Sequence, residues 1–214
     1  MIQDKTKKIE YFKYGKKEID WLKSRDKTLG RAIDRLGKIK REINPDLFSA
    51  LVYSIIGQQI STKAHITIWT RMKEGIKPLT PAGINKLSPE QLQSFGISMR
   101  KAEYIKGIAE AVLDNTLDLA QLPLLSDDEV CQKLSELRGI GVWTAEMLMI
   151  FSMQRKNILS FGDLGIQRGL KILYKKNNIT KVQFSIYKDR YSPYSSIASL
   201  YLWAITREGV NNGR

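Results

Sequence analysis

Two glycines separated by one residue, Gly139 and Gly141, interrupt a stretch whose apolar spacing is helical on both sides. This pattern predicts a tight hairpin between helices, because glycine tolerates a positive φ and lets another chain approach the backbone closely. The helix that starts near Val142 would turn its unpaired backbone N–H groups and its positive dipole end outward. A DNA phosphate is stabilised in such a place without side chains. The alternative is an ordinary corner in which glycine only stops one helix.

Helical periodicity extends over nearly the whole chain, and no convincing alternating strand is present, so the predicted fold class is all-α with about ten helices. Ile140 and Val142 are expected to anchor the hairpin in the core. Pro78 and Pro81 mark a loop. Helix start signals stand at Asp46, Ser61, Ser88 with Pro89, Ser126 with Glu129, and Asp163.

The charge balance favours a polyanionic partner. Lys and Arg number 35 against 22 Asp and Glu, which gives a net charge of +13, and neutralising phosphates releases counterions. Simple solubility and an acidic protein partner are the alternatives. Cys131 is the only cysteine and His65 the only histidine, so iron–sulfur clusters, multi-cysteine zinc sites and multi-histidine metal centres are excluded. We expect His65 to serve as a hydrogen-bonding residue rather than as a catalyst.

The N-terminal stretch from Met1 to Lys8 is polar and basic, which is not typical of a secretory signal. No apolar run reaches the roughly 20 residues that span a bilayer. We therefore expect a cytoplasmic protein of the bacterial or archaeal nucleoid, or a nuclear one in a eukaryote, with no membrane partner. A monomer is the expected oligomeric state.

A single carboxylate, Asp163, stands at a loop-to-helix junction downstream of the hairpin, within Phe161–Gly169. Asp is common as a helix N-cap, so capping is the simplest interpretation. A phosphate-binding hairpin followed by one fixed acidic group also suits a protein that holds DNA and breaks a bond in it. The two roles are compatible, because a cap position orients the carboxylate.

Three segments in order now support a resemblance: Leu47–Thr62 with its Gly57-Gln58-Gln59 turn, Leu137–Ala145, and Phe161–Gly169. Together they resemble the helix-hairpin-helix DNA glycosylase superfamily. The similarity is strongest to its alkylbase branch, the bacterial 3-methyladenine DNA glycosylase II group, and extends from about Asn44 to Trp203.

The resemblance implies two helical lobes with a cleft for DNA and the base between them. The central lobe, 46–157, would hold the hairpin, and the second lobe would combine 1–45 with 158–214 and carry the catalytic Asp163. The implied activity is hydrolysis of the N-glycosidic bond of alkylated purines, such as 3-methyladenine and 7-methylguanine, during base-excision repair of alkylation damage. The partner would be double-stranded DNA whose damaged base is flipped out of the helix.

The resemblance also assigns roles to other residues. Gln59 would be the wedge that fills the gap left by the flipped base, although related alkylbase enzymes tend to carry an apolar residue there; its alternative role is a polar junction residue. Trp143 and Tyr194 would line the base pocket, and Trp143 has the alternative of a core position. Tyr194 and Ser195 stand where the family usually has Trp and Arg. Contacts to DNA phosphate are implied for Gly139, Ile140, Gly141, Val142 and Thr144.

No organic cofactor and no iron–sulfur cluster is expected, and the family's monovalent cation would use the carbonyls of Leu137 and Ile140. Trp143 replaces the lysine of lyase-active family members, so the resemblance implies a monofunctional enzyme with water as the nucleophile. Two alternatives stay open. One is a non-catalytic helix-hairpin-helix module that only binds DNA, and the other is a glycosylase for mismatched adenine, oxidised guanine or another damaged base.

Overall fold

The computed structural model describes residues 9–211, with side chains up to residue 209; the basic stretch from Met1 to Lys8 lies outside the described residues. This part of the chain is helical apart from one small sheet, as expected of an all-α protein. The helices are α1 Lys16–Arg25, α2 Lys27–Leu36, α3 Leu47–Gly57, α4 Thr62–Gly75, α5 Pro81–Asn85, α6 Pro89–Gln93, α7 Met99–Leu113, α8 Asp127–Ser135, α9 Val142–Phe151, α10 Leu164–Tyr174, α11 Lys181–Tyr191 and α12 Ser195–Asn211. A 3₁₀ turn, Leu122–Leu124, precedes α8.

The two strands, β1 (Glu10–Tyr11) and β2 (Glu42–Ile43), form one antiparallel pair in which Tyr11 lies opposite Glu42. At two residues each, they are too short to give a readable alternating pattern in the sequence. None of the described helices is long and apolar enough to cross a membrane.

The chain divides into two compact units. The central unit is Asn44–Met153, and the terminal unit combines the chain up to Ile43 with the chain from Gln154 onward. Two contacts tie the segment that begins at Gln154 to the N-terminal part of this unit: the Gln154 side chain accepts the backbone N–H of Lys13, and Lys156 forms an ion pair with Glu18 at 2.6 Å.

Side-chain caps define the helix starts. Ser61, Ser88, Ser126 and Asp163 each accept a backbone N–H from the first turn of the following helix, and Ser88 and Ser126 form full capping boxes, which confirms the start signals in the sequence. The prediction of a loop around Pro81 was wrong. Thr80 caps a short helix there, with Pro81 in its first turn, where proline lacks only an N–H that would be unpaired anyway.

The core of the central unit is built around α3. This helix is apolar on most of its surface, and its residues Leu51, Val52, Ile55 and Ile56 are completely buried. It packs against α4, α7 and α9. Burying one such side chain contributes about 1.5–3 kcal/mol, so α3 is the element around which the other helices of this unit assemble.

In the terminal unit, α10 and α12 pack closely along much of their length. A Cβ on Gly169 would lie 2.4 Å from the backbone carbonyl oxygen of Leu202, so only glycine permits this approach of the two helices. The hydroxyl of Thr206 also donates to the carbonyl of Gly165 in the first turn of α10, at 2.7 Å. The start of α10 is therefore held firmly by α12.

Asp26 connects the beginning of the terminal unit to its end. Its Oδ1 caps α2 by accepting the N–H groups of Thr28 and Leu29, each at 2.9 Å. Its Oδ2 accepts the hydroxyl of Tyr174 at 2.6 Å and the guanidinium of Arg190 at 2.8 Å. Burial alone would raise the pKa of Asp26, but the hydrogen bonds from Tyr174, Leu29 and Arg190 outweigh it, so the pKa lies below its ordinary value.

We therefore predict that Asp26→Asn costs about 1–3 kcal/mol at pH 7, because the amide cannot satisfy all of these donors. Since folding lowers the pKa of Asp26, its stabilising contribution is complete above the ordinary carboxyl range and disappears as pH falls through the lowered value. Urea unfolding at several pH values should show the difference between the variant and wild type shrinking towards acid. Asp34→Asn, at an exposed ion pair with Lys23, is the control and should shift stability by less than about 0.5 kcal/mol. A gap that stays constant with pH would contradict the argument.

Candidate functional site

The hairpin between α8 and α9 uses its two glycines for different reasons. Gly139 has φ +89°, and a Cβ there would lie 2.3 Å from the ring of Tyr104, so both backbone conformation and packing require glycine. Gly141 has φ −94° and ψ 172°, which any residue adopts, and a Cβ would meet nothing within 4 Å. Its lack of a side chain instead leaves the backbone at the start of α9 open to approach from outside.

Burial distinguishes the other hairpin residues. Ile140 is 3% exposed and anchors the hairpin, as predicted. The same prediction for Val142 was wrong: it is 58% exposed, because the first residue of α9 turns to solvent. Thr144 is 8% exposed, so little of its side chain faces solvent. Gly141, the N-cap of α9, has no capping side chain, so the first N–H groups of this helix lack the usual side-chain acceptor.

The turn between α3 and α4 is hydrogen-bonded to the hairpin. Gln58 donates its side-chain amide to the carbonyl of Gly139 at 2.8 Å. Lys101 of α7 donates to the carbonyls of Ile56 and Gln58 at 2.9 and 2.6 Å, and burial lowers the pKa of this ammonium from its ordinary value. A cation at the C-terminal end of α3 also suits the negative pole of the helix.

This anchoring leaves the neighbouring Gln59 facing outward. Gln59 is exposed, and its φ of +55° is left-handed, a conformation that is uncommon for residues other than glycine. Because the residue before it is bonded on both its carbonyl and its side chain, the turn is held in shape while its tip projects into solvent. The turn and the hairpin therefore form one continuous hydrogen-bonded surface of the central unit.

The carbonyls predicted to hold a monovalent cation belong to Leu137 and Ile140. The carbonyl of Leu137 accepts the N–H of Ile140 at 3.0 Å, which uses one of its two lone pairs. Neutral carbonyl oxygens suit a hard cation, and this one keeps acceptor capacity. The residues present thus fit such an ion. Among the described residues, no group of three or more His, Cys, Asp or Glu side chains could hold a metal.

In the terminal unit, Asp163 is the N-cap of α10. Its Oδ1 accepts the backbone N–H of Ile166 at 2.8 Å and the indole N–H of Trp203 at 2.9 Å. The residue is only 6% exposed. Capping, the simplest interpretation of the sequence, is therefore confirmed. A chemical role is compatible with capping, because these two donors fix the direction of the carboxylate.

The two aromatic residues assigned to the base pocket both reach the surface of their units. Trp143, the second residue of α9, is 48% exposed, which excludes a core position. Tyr194 is partly buried, and its ring meets the edge of Trp21 at 6.2 Å between centroids and 87° between planes. Trp21 is fixed by an indole hydrogen bond to the carbonyl of Ser192. Tyr194 precedes α12 and lies roughly 14 Å along that helix from Trp203.

Sequence reasoning missed three supporting residues, Trp203, Lys101 and Tyr104. Each acts on a residue that is 35 to 45 positions away in the chain, and no local pattern reports such a contact. The expectation for His65 was right. Its Nε2 lies 2.9 Å from the carbonyl of Tyr53 and its ring 3.9 Å from the Tyr53 ring, which is a structural position.

Fold and site together define a class of protein, an all-α protein with a helix-hairpin-helix motif and a carboxylate at a helix N-cap downstream. Residues 52–186 match the family described as HhH-GPD superfamily base excision DNA repair protein. This match covers more than half of the chain, so the chain belongs to that family.

Similar proteins carry consistent names. The chain is 31% identical over 166 residues to DNA-3-methyladenine glycosylase 1 of Schizosaccharomyces pombe, which covers 75% of this chain and 72% of that protein. It is 27% identical over 175 residues to DNA-3-methyladenine glycosylase of Bacillus subtilis, which covers 75% of this chain and 57% of the relative. The chain thus spans little more than half the length of some relatives.

Among solved structures, a DNA-3-methyladenine glycosidase from Bacillus halodurans superposes with a TM-score of 0.85 at 35% identity, covering 94% of both chains. The Schizosaccharomyces pombe 3-methyladenine DNA glycosylase, solved with abasic DNA, gives a TM-score of 0.73 at 27% identity and covers 88% of this chain and 95% of that one.

The two hairpin glycines allow a matched test. Gly139→Ala should destabilise the protein by about 1–3 kcal/mol, because alanine is strained at this φ and its Cβ overlaps the Tyr104 ring. Gly141→Ala should change stability by less than about 0.5 kcal/mol. It should nevertheless weaken binding to duplex DNA, since its methyl group would obstruct a phosphate. Urea unfolding and fluorescence anisotropy measure the two effects. Equal destabilisation by both substitutions would refute this division of roles.

Proposed function

We propose that this protein is a monofunctional DNA glycosylase that hydrolyses the N-glycosidic bond of flipped-out alkylated purines, of the 3-methyladenine and 7-methylguanine type, in base-excision repair. The observation that carries the proposal is the position of Asp163, a buried carboxylate at a helix N-terminus whose Oδ1 accepts the Ile166 N–H and the Trp203 indole N–H. Membership of a base excision DNA repair family and the names of the relatives support the same reaction class.

Cleavage of an N-glycosidic bond builds positive charge on the deoxyribose, as in other glycoside hydrolysis. A carboxylate already oriented by fixed donors stabilises that charge without reorganising during the reaction. The same carboxylate can orient or deprotonate the attacking water. Asp163 is proposed for both roles, and Trp203 for holding it in position.

DNA would be gripped through backbone groups of the hairpin. The N–H groups at the start of α9, next to Gly141, have no side-chain cap and would bind a strand phosphate. A monovalent cation at the Leu137 and Ile140 carbonyls would add positive charge beside that phosphate. Gln59, at the exposed tip of the turn between α3 and α4, is proposed as the wedge that occupies the space of the extruded nucleotide.

Alkylated purines such as 3-methyladenine and 7-methylguanine carry a positive charge, so they are attracted to aromatic faces and leave easily. Trp143 and Tyr194 are proposed to provide such faces. An indole at residue 143 cannot form a Schiff base with the sugar, whereas a lysine amine can. The proposed nucleophile is therefore water, and the expected product is an abasic site in an intact strand.

The first test is Asp163→Asn. Asparagine is an equally good N-cap and its side-chain oxygen can still accept from Trp203, so folding should be preserved. Release of free 3-methyladenine or 7-methylguanine from methylated duplex should fall by at least about 100-fold, while binding to DNA changes little. Chromatography of released bases and anisotropy on the same duplex measure the two quantities. Unchanged base release would remove Asp163 from the mechanism.

The same assay separates the proposal from a module that only binds DNA. Wild-type protein that binds duplex but releases no base from a panel of single-lesion duplexes, hypoxanthine and oxidised guanine included, would support that alternative. Release confined to a lesion other than an alkylated purine would keep the reaction and change the substrate.

A second test addresses the fate of the strand. Duplex carrying one alkylated purine should be nicked only after alkali treatment of the products, because water leaves an abasic site rather than a covalent enzyme–sugar adduct. Denaturing gels with and without alkali give the answer, and trapping with borohydride provides an independent check. Nicking without alkali, together with a trapped adduct, would show a lyase.

A further inference from the structure

Apart from the residues of the candidate site, the terminal unit contains a cleft of about 520 Å³ between the N-terminal segment and the loop before β2. Lysines contribute much of its lining: Lys13, Lys38, Lys40 and Lys156. Tyrosine rings complete the wall, with Tyr14 buried beneath Lys38 and Tyr11 41% exposed. Basic side chains beside aromatic rings are the composition expected of a surface that meets nucleic acid.

The charge of this cleft is not compensated from within. Glu18 is the only acidic residue in its lining, and its carboxylate is paired with Lys156 at 2.6 Å. The hydrogen bond from Lys156 lowers the pKa of Glu18 to about 2, so this pair is neutral overall at physiological pH. In the described part of the chain, no carboxylate forms an ion pair with Lys13, Lys38 or Lys40.

Three unpaired ammonium groups around one cleft repel one another, which favours an external anion. The anion would contact the rim rather than the floor. Glu18 accepts the backbone N–H of Gly15 and so already caps α1, and it is a buried negative charge in the lining of the cleft. Exposed lysine ammonium groups on flexible stems suit phosphates that are presented one after another along a strand, since lysine binds them as a point charge.

We propose that Lys13, Lys38 and Lys40 form a second contact site for DNA, which binds backbone phosphates of the duplex independently of the hairpin and without reading its sequence. This inference rests on the proposed function only in taking duplex DNA as the partner. The group that these lysines would bind is a phosphate anion, which either DNA or a free phosphate ion could supply. The test therefore has to distinguish these two ligands. A backbone site of this kind would increase affinity for undamaged duplex and thereby help the protein to search along DNA.

The test uses the full chain and an undamaged duplex, with affinity measured over a range of salt concentrations. Each phosphate neutralised on duplex DNA contributes about −0.9 to the slope of log K against log salt. The triple variant Lys13→Gln, Lys38→Gln, Lys40→Gln should reduce the steepness of this slope by about 2 to 3. Replacing the same three residues by arginine should retain the wild-type slope, because the charges stay.

A matched control removes equal charge elsewhere in the same unit. Lys27, Lys176 and Lys188 are exposed, lie outside the cleft and form no ion pair in the described part of the chain. Their change to glutamine should leave the slope close to wild type. Circular dichroism and urea unfolding of every variant confirm that differences in slope do not come from unfolding.

Equal slopes for the cleft variant and the control variant would overturn the proposal. So would calorimetric binding of inorganic phosphate that requires the three cleft lysines while the DNA slope stays unchanged, because the site would then serve a free anion. Base release is scored separately on methylated duplex. A wild-type protein without base release would refute the glycosylase proposal and leave the slope result standing, so the two failures are distinguishable.

Discussion

A carboxylate that is almost completely buried must be hydrogen-bonded, and this requirement governs the terminal unit around Asp163. Its donors include the backbone N–H of Ile166 at the start of α10 and the Trp203 indole on α12. The indole is available only because α10 and α12 pack closely, and Gly169 permits that approach. The same contacts that stabilise the helix pair thus also orient the one acidic group in which the proposed chemistry resides.

In the central unit, the main structural requirement is to keep the hairpin backbone and the turn between α3 and α4 exposed while holding them in a fixed shape. Gly139 takes the positive φ that a side chain would make strained and packs against Tyr104, while Gly141 has an ordinary backbone conformation that is open to solvent. Gln58 and Lys101 satisfy the carbonyls around the adjoining turn, which leaves Gln59 at its tip. The DNA contact proposed for this surface needs both features: a turn and hairpin held rigid by hydrogen bonds, and backbone and side-chain groups that are exposed to solvent.

Many of the helix starts could be predicted from the sequence, because the signals that define them are local. The caps at Ser61, Ser88, Ser126 and Asp163 lie within three residues of the N–H groups they bind, so sequence order reveals them directly. Helix α11 was not identified, because its polar and aromatic residues give no clear apolar stripe. Val142 was assigned to the wrong environment, since apolar character does not tell which side of a helix start faces solvent.

Four features follow from the sequence alone: the all-α class, the Gly-x-Gly hairpin, the carboxylate at a helix start and the basic character of the chain. All of these depend on residue type and on short spacing along the chain. Packing alone brought Trp203 to Asp163, Lys101 to the turn beside Gln59, and three lysines to one cleft. These contacts join residues far apart in the chain. They depend on how buried surfaces fit together, and that fit is a property of the whole assembled unit rather than of any segment.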